Sequence, residues 1–248
     1  PEASPDDEGY WQDGSNLVTN STYDELGSEL ITNGDFSTSG TATETSYSLG
    51  WTVSFDSVGH VSISDGNLTI LNPTSGGGKA YATNGSSSIN VVESGKSYKL
   101  TYDVTENTNN TQFFYHTGSA YVAANNTVGS HTIYYIAGGT IFLFRNGTTN
   151  STIKLDNVSL KQVDPNDRWS LTNTTIEDGA LKFVDNTSAA QFAVHSNSSM
   201  MDIGGAYEIT LNVNRTSGSF RVLSGTGGSA LTPAVSINSS GLQTFIVT

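Results

Sequence analysis

Ser97-Tyr98-Lys99-Leu100-Thr101-Tyr102-Asp103-Val104 alternates polar and apolar residues without a break. The pattern returns as Ala206-Tyr207-Glu208-Ile209-Thr210-Leu211-Asn212-Val213. Apolar positions 98, 100, 102 and 104 fall on 207, 209, 211 and 213. Period-two alternation is the mark of a half-buried strand. A slip of one residue would turn every side chain to the wrong face, so equal parity in both stretches marks a shared fold. A second pair lies upstream. Trp51 opens a stretch reaching Ile63-Ser64-Asp65-Gly66-Asn67-Leu68, and Trp169 opens one reaching Ile176-Glu177-Asp178-Gly179-Ala180-Leu181. The chain is therefore an internal repeat.

Outward from these anchors, more short strands are expected. They are His60–Ile63, Asn67–Leu71, Thr132–Ile136, Thr140–Phe144 and Ile153–Leu155. Turn dipeptides separate them: Asn33-Gly34, Asp65-Gly66, Asn84-Gly85, Asn146-Gly147 and Asp178-Gly179. No stretch reads as a helix. The fold class is all-β: two tandem jelly-roll sandwiches, the second incomplete. The first copy spans 29–163, a linker 164–168, and the second copy 169–248. Thr244-Phe245-Ile246-Val247 matches Thr132-Ile133-Tyr134-Tyr135. Nothing in the second copy matches Thr140–Phe144 or Thr152–Leu160, so two strands are missing, and open sheet edges are costly. Either the chain continues past Thr248 or another chain supplies them; continuation is the expectation. Residues 1–28 read as an acidic leader with one strand candidate, Leu17-Val18-Thr19. Asn16-Leu17-Val18-Thr19-Asn20 echoes Glu29-Leu30-Ile31-Thr32-Asn33.

Composition narrows the function. The 248 residues contain no Cys and carry a formal net charge of −13. That excludes a disulfide framework, a zinc–thiolate site and a Cys nucleophile. Phosphate binding needs clustered Lys and Arg, and the 10 present are scattered, which argues against nucleic acid. No apolar run approaches the ~20 residues of a membrane-spanning helix. His60, His116, His131 and His195 form no metal-ligand spacing, and no G-x-S-x-G elbow occurs. Ser75–Ala80 lacks the framing residues of a phosphate loop and reads as a hairpin tip. Asp103 is a conceivable glycosidase carboxylate, but no partner can be named, and it can equally form a surface pair with Arg145. The expectation is a non-enzyme.

The opening Glu29-Leu30-Ile31-Thr32-Asn33-Gly34-Asp35-Phe36, then Gly50-Trp51, Gly95–Val104 and the closing Ile153-Lys154-Leu155-Asp156-Asn157-Val158-Ser159-Leu160 resemble carbohydrate-binding-module-like jelly rolls of the family four and nine type. The restart Asp164-Pro165-Asn166-Asp167-Arg168-Trp169 resembles tandem copies of such modules in virion proteins of marine tailed phages. The resemblance implies a virion-surface, extracellular protein: a tail fibre or capsid decoration for host attachment. Its partners would be host cell-surface polysaccharide and other virion subunits, with a homo-oligomer expected. It also implies a structural calcium near Asp35 and Asp156. Asp35 stands where the family often has Glu, and Asn157 where a second Asp is common. The alternative for both carboxylates is capping of local turns. A fold does not fix a ligand. A structural spacer, a cellular adhesin and an accessory module of a secreted enzyme therefore remain alternatives.

Aromatic rings are the usual sugar platforms. Phe113-Phe114-Tyr115 and Tyr134-Tyr135 must send rings to both faces, and Phe142 and Phe144 face opposite to Ile141 and Leu143. One parity is core; the other meets solvent, a sugar or a partner chain. Phe114, Tyr135, Phe142 and Phe144 are the candidate carbohydrate-binding residues. In the spacer alternative, Phe142 and Phe144 are covered by a neighbouring chain. Trp51 and Trp169 recur at one repeat position and read as core. Asn-x-Ser/Thr triplets number 13, a twofold excess that signals either glycans or compositional bias, Asn157 being an unusable site inside a strand.

Overall fold

The structure, a computed structural model, describes residues 16–54, 57–73, 77–184, 190–197, 200–201, 205–224 and 229–247, with the backbone alone described at 224 and 229–234. The described residues are all-β apart from a 3₁₀ turn at Tyr47–Leu49. The chain divides into two compact units. The inner unit comprises 23–165 and 175–180; the outer unit comprises 1–22, 166–174 and 181–248.

The inner unit is a two-sheet antiparallel sandwich. Its strands in chain order are β1 (Leu26–Glu29), β2 (Gly40–Thr41), β3 (Trp51–Thr52), β4 (Val61–Ser64), β5 (Asn67–Asn72), β6 (Gly78–Ala82), β7 (Ser97–Asn107), β8 (Phe113–His116), β9 (Tyr121–Ala123), β10 (Gly129–Ile136), β11 (Leu143–Asn146) and β12 (Ser151–Val163). One sheet runs β10-β7-β12-β5-β4-β2, with β1 also paired to β12. The other runs β3-β6-β11-β8-β9. The strands expected from sequence appear, with Thr140–Phe144 reduced to β11. β4 and β5 join through Asp65-Gly66, whose φ values of 53° and 71° match the twist of a two-residue hairpin.

Alternation fills the core. Tyr98, Leu100, Tyr102 and Val104 of β7 point inward against Leu155 and Leu160 of β12 and Phe144 of β11. Phe36, Trp51, Phe113, Phe142 and Phe144 complete one aromatic cluster, with Phe113–Phe144 and Phe142–Phe144 centroids 5.0 Å apart. Trp51 is fully buried, as its repeat position implied, and its Nε1–H donates to the Asn33 carbonyl at 3.3 Å.

The outer unit contains β13 (Trp169–Thr172), β16 (Phe192–His195), β17 (Tyr207–Val213), β18 (Phe220–Ser224), β19 (Ser229–Ile237) and β20 (Gly241–Val247). The hairpin of β14 (Thr174–Glu177) and β15 (Ala180–Phe183) has its Thr175–Ala180 part assigned to the inner unit. Pairing runs β13-β16, β14-β15, β17-β20 and β18-β19.

Of the acidic leader expected at 1–28, residues 1–15 lie outside the described residues; 16–22 group with the outer unit and Tyr23 onward with the inner one. One turn recurs. Asn33 and Phe36 adopt φ of 55° and 49°; Asn20 and Tyr23 adopt 51° and 54°. Trp169 Nε1–H donates to the Asn20 carbonyl at 3.3 Å, as Trp51 does to Asn33. Leu17-Val18-Thr19 is not a strand. Its counterpart, Leu30-Ile31-Thr32, is not a strand either; it follows β1 directly, with the Leu30 N–H donating to the Leu160 carbonyl at 3.0 Å.

Candidate functional site

Three of the four sugar-platform candidates lie in the core. Phe142 and Phe144 are 0% exposed and Tyr135 is 6% exposed. A ring with no open face cannot stack on a sugar. The cover over Phe142 and Phe144 comes from Trp51, Tyr102, Phe113 and Tyr135 of the same unit, so a neighbouring chain is not needed to bury them. Phe114 alone of the four faces outward and is half-buried.

Phe114 belongs to a face that the sequence reading missed: the outer side of the five-stranded sheet. β8 sends Phe113 and Tyr115 inward and Phe114 and His116 outward. β11 sends Phe144 inward and Arg145 outward; β6 sends Ala80 and Ala82 inward and Lys79 and Tyr81 outward. Register then draws two rows across the sheet. One is Tyr81–Leu143–His116–Tyr121; the other is Lys79–Arg145–Phe114–Ala123. Leu143 is the buried floor of the first row, and Tyr121 at its end is 40% exposed.

The side chains lean on one another. The Arg145 guanidinium carbon lies 5.0 Å from the Tyr121 ring centroid, a cation–π contact. His116 and Tyr121 rings meet edge-on at 4.7 Å, and Phe114 and Tyr121 at 6.4 Å. The backbone N–H of Gly118 donates to His116 Nδ1 at 3.0 Å. That bond leaves the neutral ring's proton on Nε2. Burial holds the His116 pKa below the usual histidine value, which favours the neutral ring. Gly147 makes room for Phe114, since a Cβ there would lie 2.7 Å from the ring. Arg145 Nε is buried and finds no hydrogen-bond partner. The two rows hold aromatic faces, two cations and a ring N–H donor, and no carboxylate.

Asp35 Oδ1 accepts from the backbone N–H and Oγ–H of Ser37 at 3.3 and 3.1 Å. Asp156 Oδ1 accepts from the Asn157 N–H at 2.6 Å. Asp35 borders a shallow hollow with Glu29, Asn33 and Asn157; Asp156 is not on its wall. Among the described residues no three His, Asp or Glu side chains gather as a metal set. Each carboxylate caps its own turn; calcium, which takes six to eight oxygens, would need backbone carbonyls beside them. Nearby, Glu29 is a clamp: its carboxylate accepts from the N–H groups of Leu30, Ile31 and Leu160 and from Ser159 Oγ.

Asp103 does not meet Arg145, because the two residues stand on different sheets. Asp103 instead accepts from Asn157 Nδ2 at 2.8 Å, and hydrogen bonds from Ser130 and Asn157 lower its pKa. Lys79, in the glycine-rich stretch, lies on β6 rather than at a loop tip; residues 74–76 lie outside the described residues. Asn146, a glycan triplet, is fully buried, and its amide donates to the carbonyls of Ile70 and Ser151. It cannot carry a glycan in this fold.

The fold and face thus define an antiparallel β-sandwich unit with a polar–aromatic sheet surface. No family model matches the chain, and no curated protein matches it. Similarity is found among solved structures. One, described as "CBM4 structure and function", is 11% identical with a TM-score of 0.32, covering 53% of this chain and 99% of its own. The "BiXyn10A CBM1" structure is 14% identical with a TM-score of 0.28, covering 56% and 92%. The Clostridium thermocellum xylanase 10B CBM22-1–GH10 modules, complexed with xylohexaose, are 14% identical with a TM-score of 0.30, covering 56% of this chain and 29% of their own.

Proposed function

We propose that the inner unit is a carbohydrate-binding module that takes a polysaccharide chain across the outer face of the five-stranded sheet. The observation that carries this reading is the cross-strand row Tyr81–Leu143–His116–Tyr121 beside Lys79–Arg145–Phe114. Sugar rings present C–H faces to aromatic rings and hydroxyls to N–H donors. Tyr121 and Phe114 supply the rings; Arg145, Lys79 and the His116 Nε2–H supply the donors. Binding is the role; no catalytic pair is invoked.

Affinity electrophoresis and calorimetry against neutral and uronate-bearing soluble polysaccharides test it. At least one polysaccharide should bind, and Tyr121→Ala should weaken that binding about tenfold, corresponding to ~1.4 kcal/mol. A folded chain that binds none of the panel, or a Tyr121→Ala variant that binds equally well, overturns the reading. The finer placement, on a phage fibre or capsid decoration that contacts host glycans, rests on the sequence resemblance. Mass spectrometry of purified particles checks it, and weak single sites would then act through avidity.

A further inference from the structure

The inner unit divides its charge by sheet. Strands β3, β6, β8, β9 and β11 hold Lys79, Arg145 and His116, and no Asp or Glu. Glu29, Asp103, Glu106 and Asp156 all stand on β1, β7 and β12 of the other sheet. The chain as a whole has 23 Asp and Glu against 10 Lys and Arg. Strands with cations alone are therefore set apart from the rest of their own protein.

Two donors on this face converge on one ring. The Arg145 guanidinium carbon lies 5.0 Å from the Tyr121 ring centroid, and the His116 ring centroid lies 4.7 Å from it. Arg145 is held by that ring and not by an acceptor: among the described residues it donates no hydrogen bond and enters no ion pair. Its Nε is buried, but its two terminal nitrogens are not. His116 Nδ1 is taken by the Gly118 N–H, and its Nε2–H meets no acceptor among the described residues. Register keeps the two together. Arg145 opposes Phe114 and His116 opposes Leu143, so they lie diagonally across β11 and β8, with Tyr121 next to His116 on β9. Diagonal neighbours on one face stand about 7–8 Å apart.

The donor set decides the class of ligand. A neutral sugar hydroxyl brings a proton as well as lone pairs, whereas a carboxylate or sulfate brings lone pairs alone. Hydrogen bonds to an ionised group are roughly twice as strong as neutral ones, and a guanidinium can meet a carboxylate with two parallel N–H···O bonds. The two terminal nitrogens of Arg145 remain for that purpose.

We infer that the polysaccharide of this face is anionic, with a carboxylate or sulfate substituent seated on the Arg145 terminal nitrogens and the His116 Nε2–H while the sugar packs against Tyr121. This rests on the reading of the face as a polysaccharide site. Lys79, across from Arg145 on β6, adds a second positive charge to the row. The net charge of −13 repels a polyanion as a whole, but that repulsion is screened beyond about 10 Å at 0.1 M salt, so contact at the row decides the outcome.

Calorimetry of the full chain against matched polysaccharides tests it. Polygalacturonate and alginate are set beside their esterified forms, and κ-carrageenan beside its desulfated form. Each pair keeps the sugar and removes the charge. A charged member should bind at least tenfold tighter than its neutral partner. Preference within the uronate pairs assigns a carboxylate; preference within the carrageenan pair assigns a sulfate. Arg145→Gln should shrink the ratio below threefold, Arg145→Lys should keep part of it, and Tyr121→Ala should weaken both members of the pair. The ratio for the unmutated chain needs no variant, so a misfolded Arg145→Gln leaves the test intact. Neutral members that bind as tightly as charged ones, or binding confined to uncharged polysaccharides, overturn the inference and leave the polysaccharide reading standing. A preference for charge that a folded Arg145→Gln variant retains in full overturns it too, because another face then holds the anion. A folded chain that binds no polysaccharide overturns both readings.

Discussion

Tyr135 shows how little a ring's neighbours in sequence say about its surroundings. It packs against Tyr98, Tyr115 and Phe142, and its hydroxyl is buried without a hydrogen-bond partner. Burial pushes its pKa far up. A buried hydroxyl left unpaired costs about 1–3 kcal/mol. Tyr135→Phe removes that cost and keeps the ring, so it should stabilise the inner unit by about 1 kcal/mol in urea unfolding. A loss of stability would show that the hydroxyl is satisfied. Parity placed Phe142 and Phe144 opposite Ile141 and Leu143 from sequence alone. It could not say which side was core, because alternation fixes the relation between faces and not their sign. Tyr121 escaped notice because β9 is three residues long and too short to show a period. Its place beside His116 and Arg145 is a fact of cross-strand register. Only a pairing of β8 with β9 and β11 could have revealed it.

At the scale of elements, the opening and closing motifs make sense together. β12 changes register between Asp156 and Ser159, and Asn157 there has φ 49°. That bulge aims Val158 into the core and lets its N–H donate to the Gly34 carbonyl at 2.9 Å. The two backbones come so close that a Cβ on Gly34 would lie 2.0 Å from the Val158 carbonyl oxygen. Gly34→Ala must push the turn off the bulge. Overpacking of this kind, against backbone rather than a mobile side chain, should cost about 3 kcal/mol. Thermal unfolding of the Gly34→Ala variant measures it, and a shift within error of zero would mean that the contact is looser than drawn. The Asn33-Gly34 and Asp156-Asn157 pairs were both visible in the sequence. That they touch was implied only by the family resemblance, and here the Val158 N–H joins them through the Gly34 carbonyl. β7, β10 and β12 were legible because long alternation survives on a sheet with one buried face. β2 and β3, two residues each, carry no such signal.

At the scale of the molecule, the repeat was legible and its nesting was not. Periodicity shows that two copies exist, but not that the first copy interrupts the second. The sign of nesting is that the inner unit's two ends meet. Leu26 opposes Val163, and the Asp164 N–H donates to the Glu25 carbonyl at 3.0 Å. Adjacent ends are what an inserted domain needs, since its host's chain must leave and return at one place. The inner unit also holds one aromatic core and both of its middle strands, β11 and β12. Residues 23–165 alone should therefore fold, with one cooperative calorimetric transition and the polysaccharide affinity of the full chain. The outer unit gives a contrasting expectation. With half-buried apolar positions along β17, it should unfold at lower temperature as a separate, broader transition in the full chain. Scanning calorimetry of both chains decides the matter. If 23–165 fails to give the upper transition, the inner unit depends on the outer one, and the nested reading of the chain fails with it.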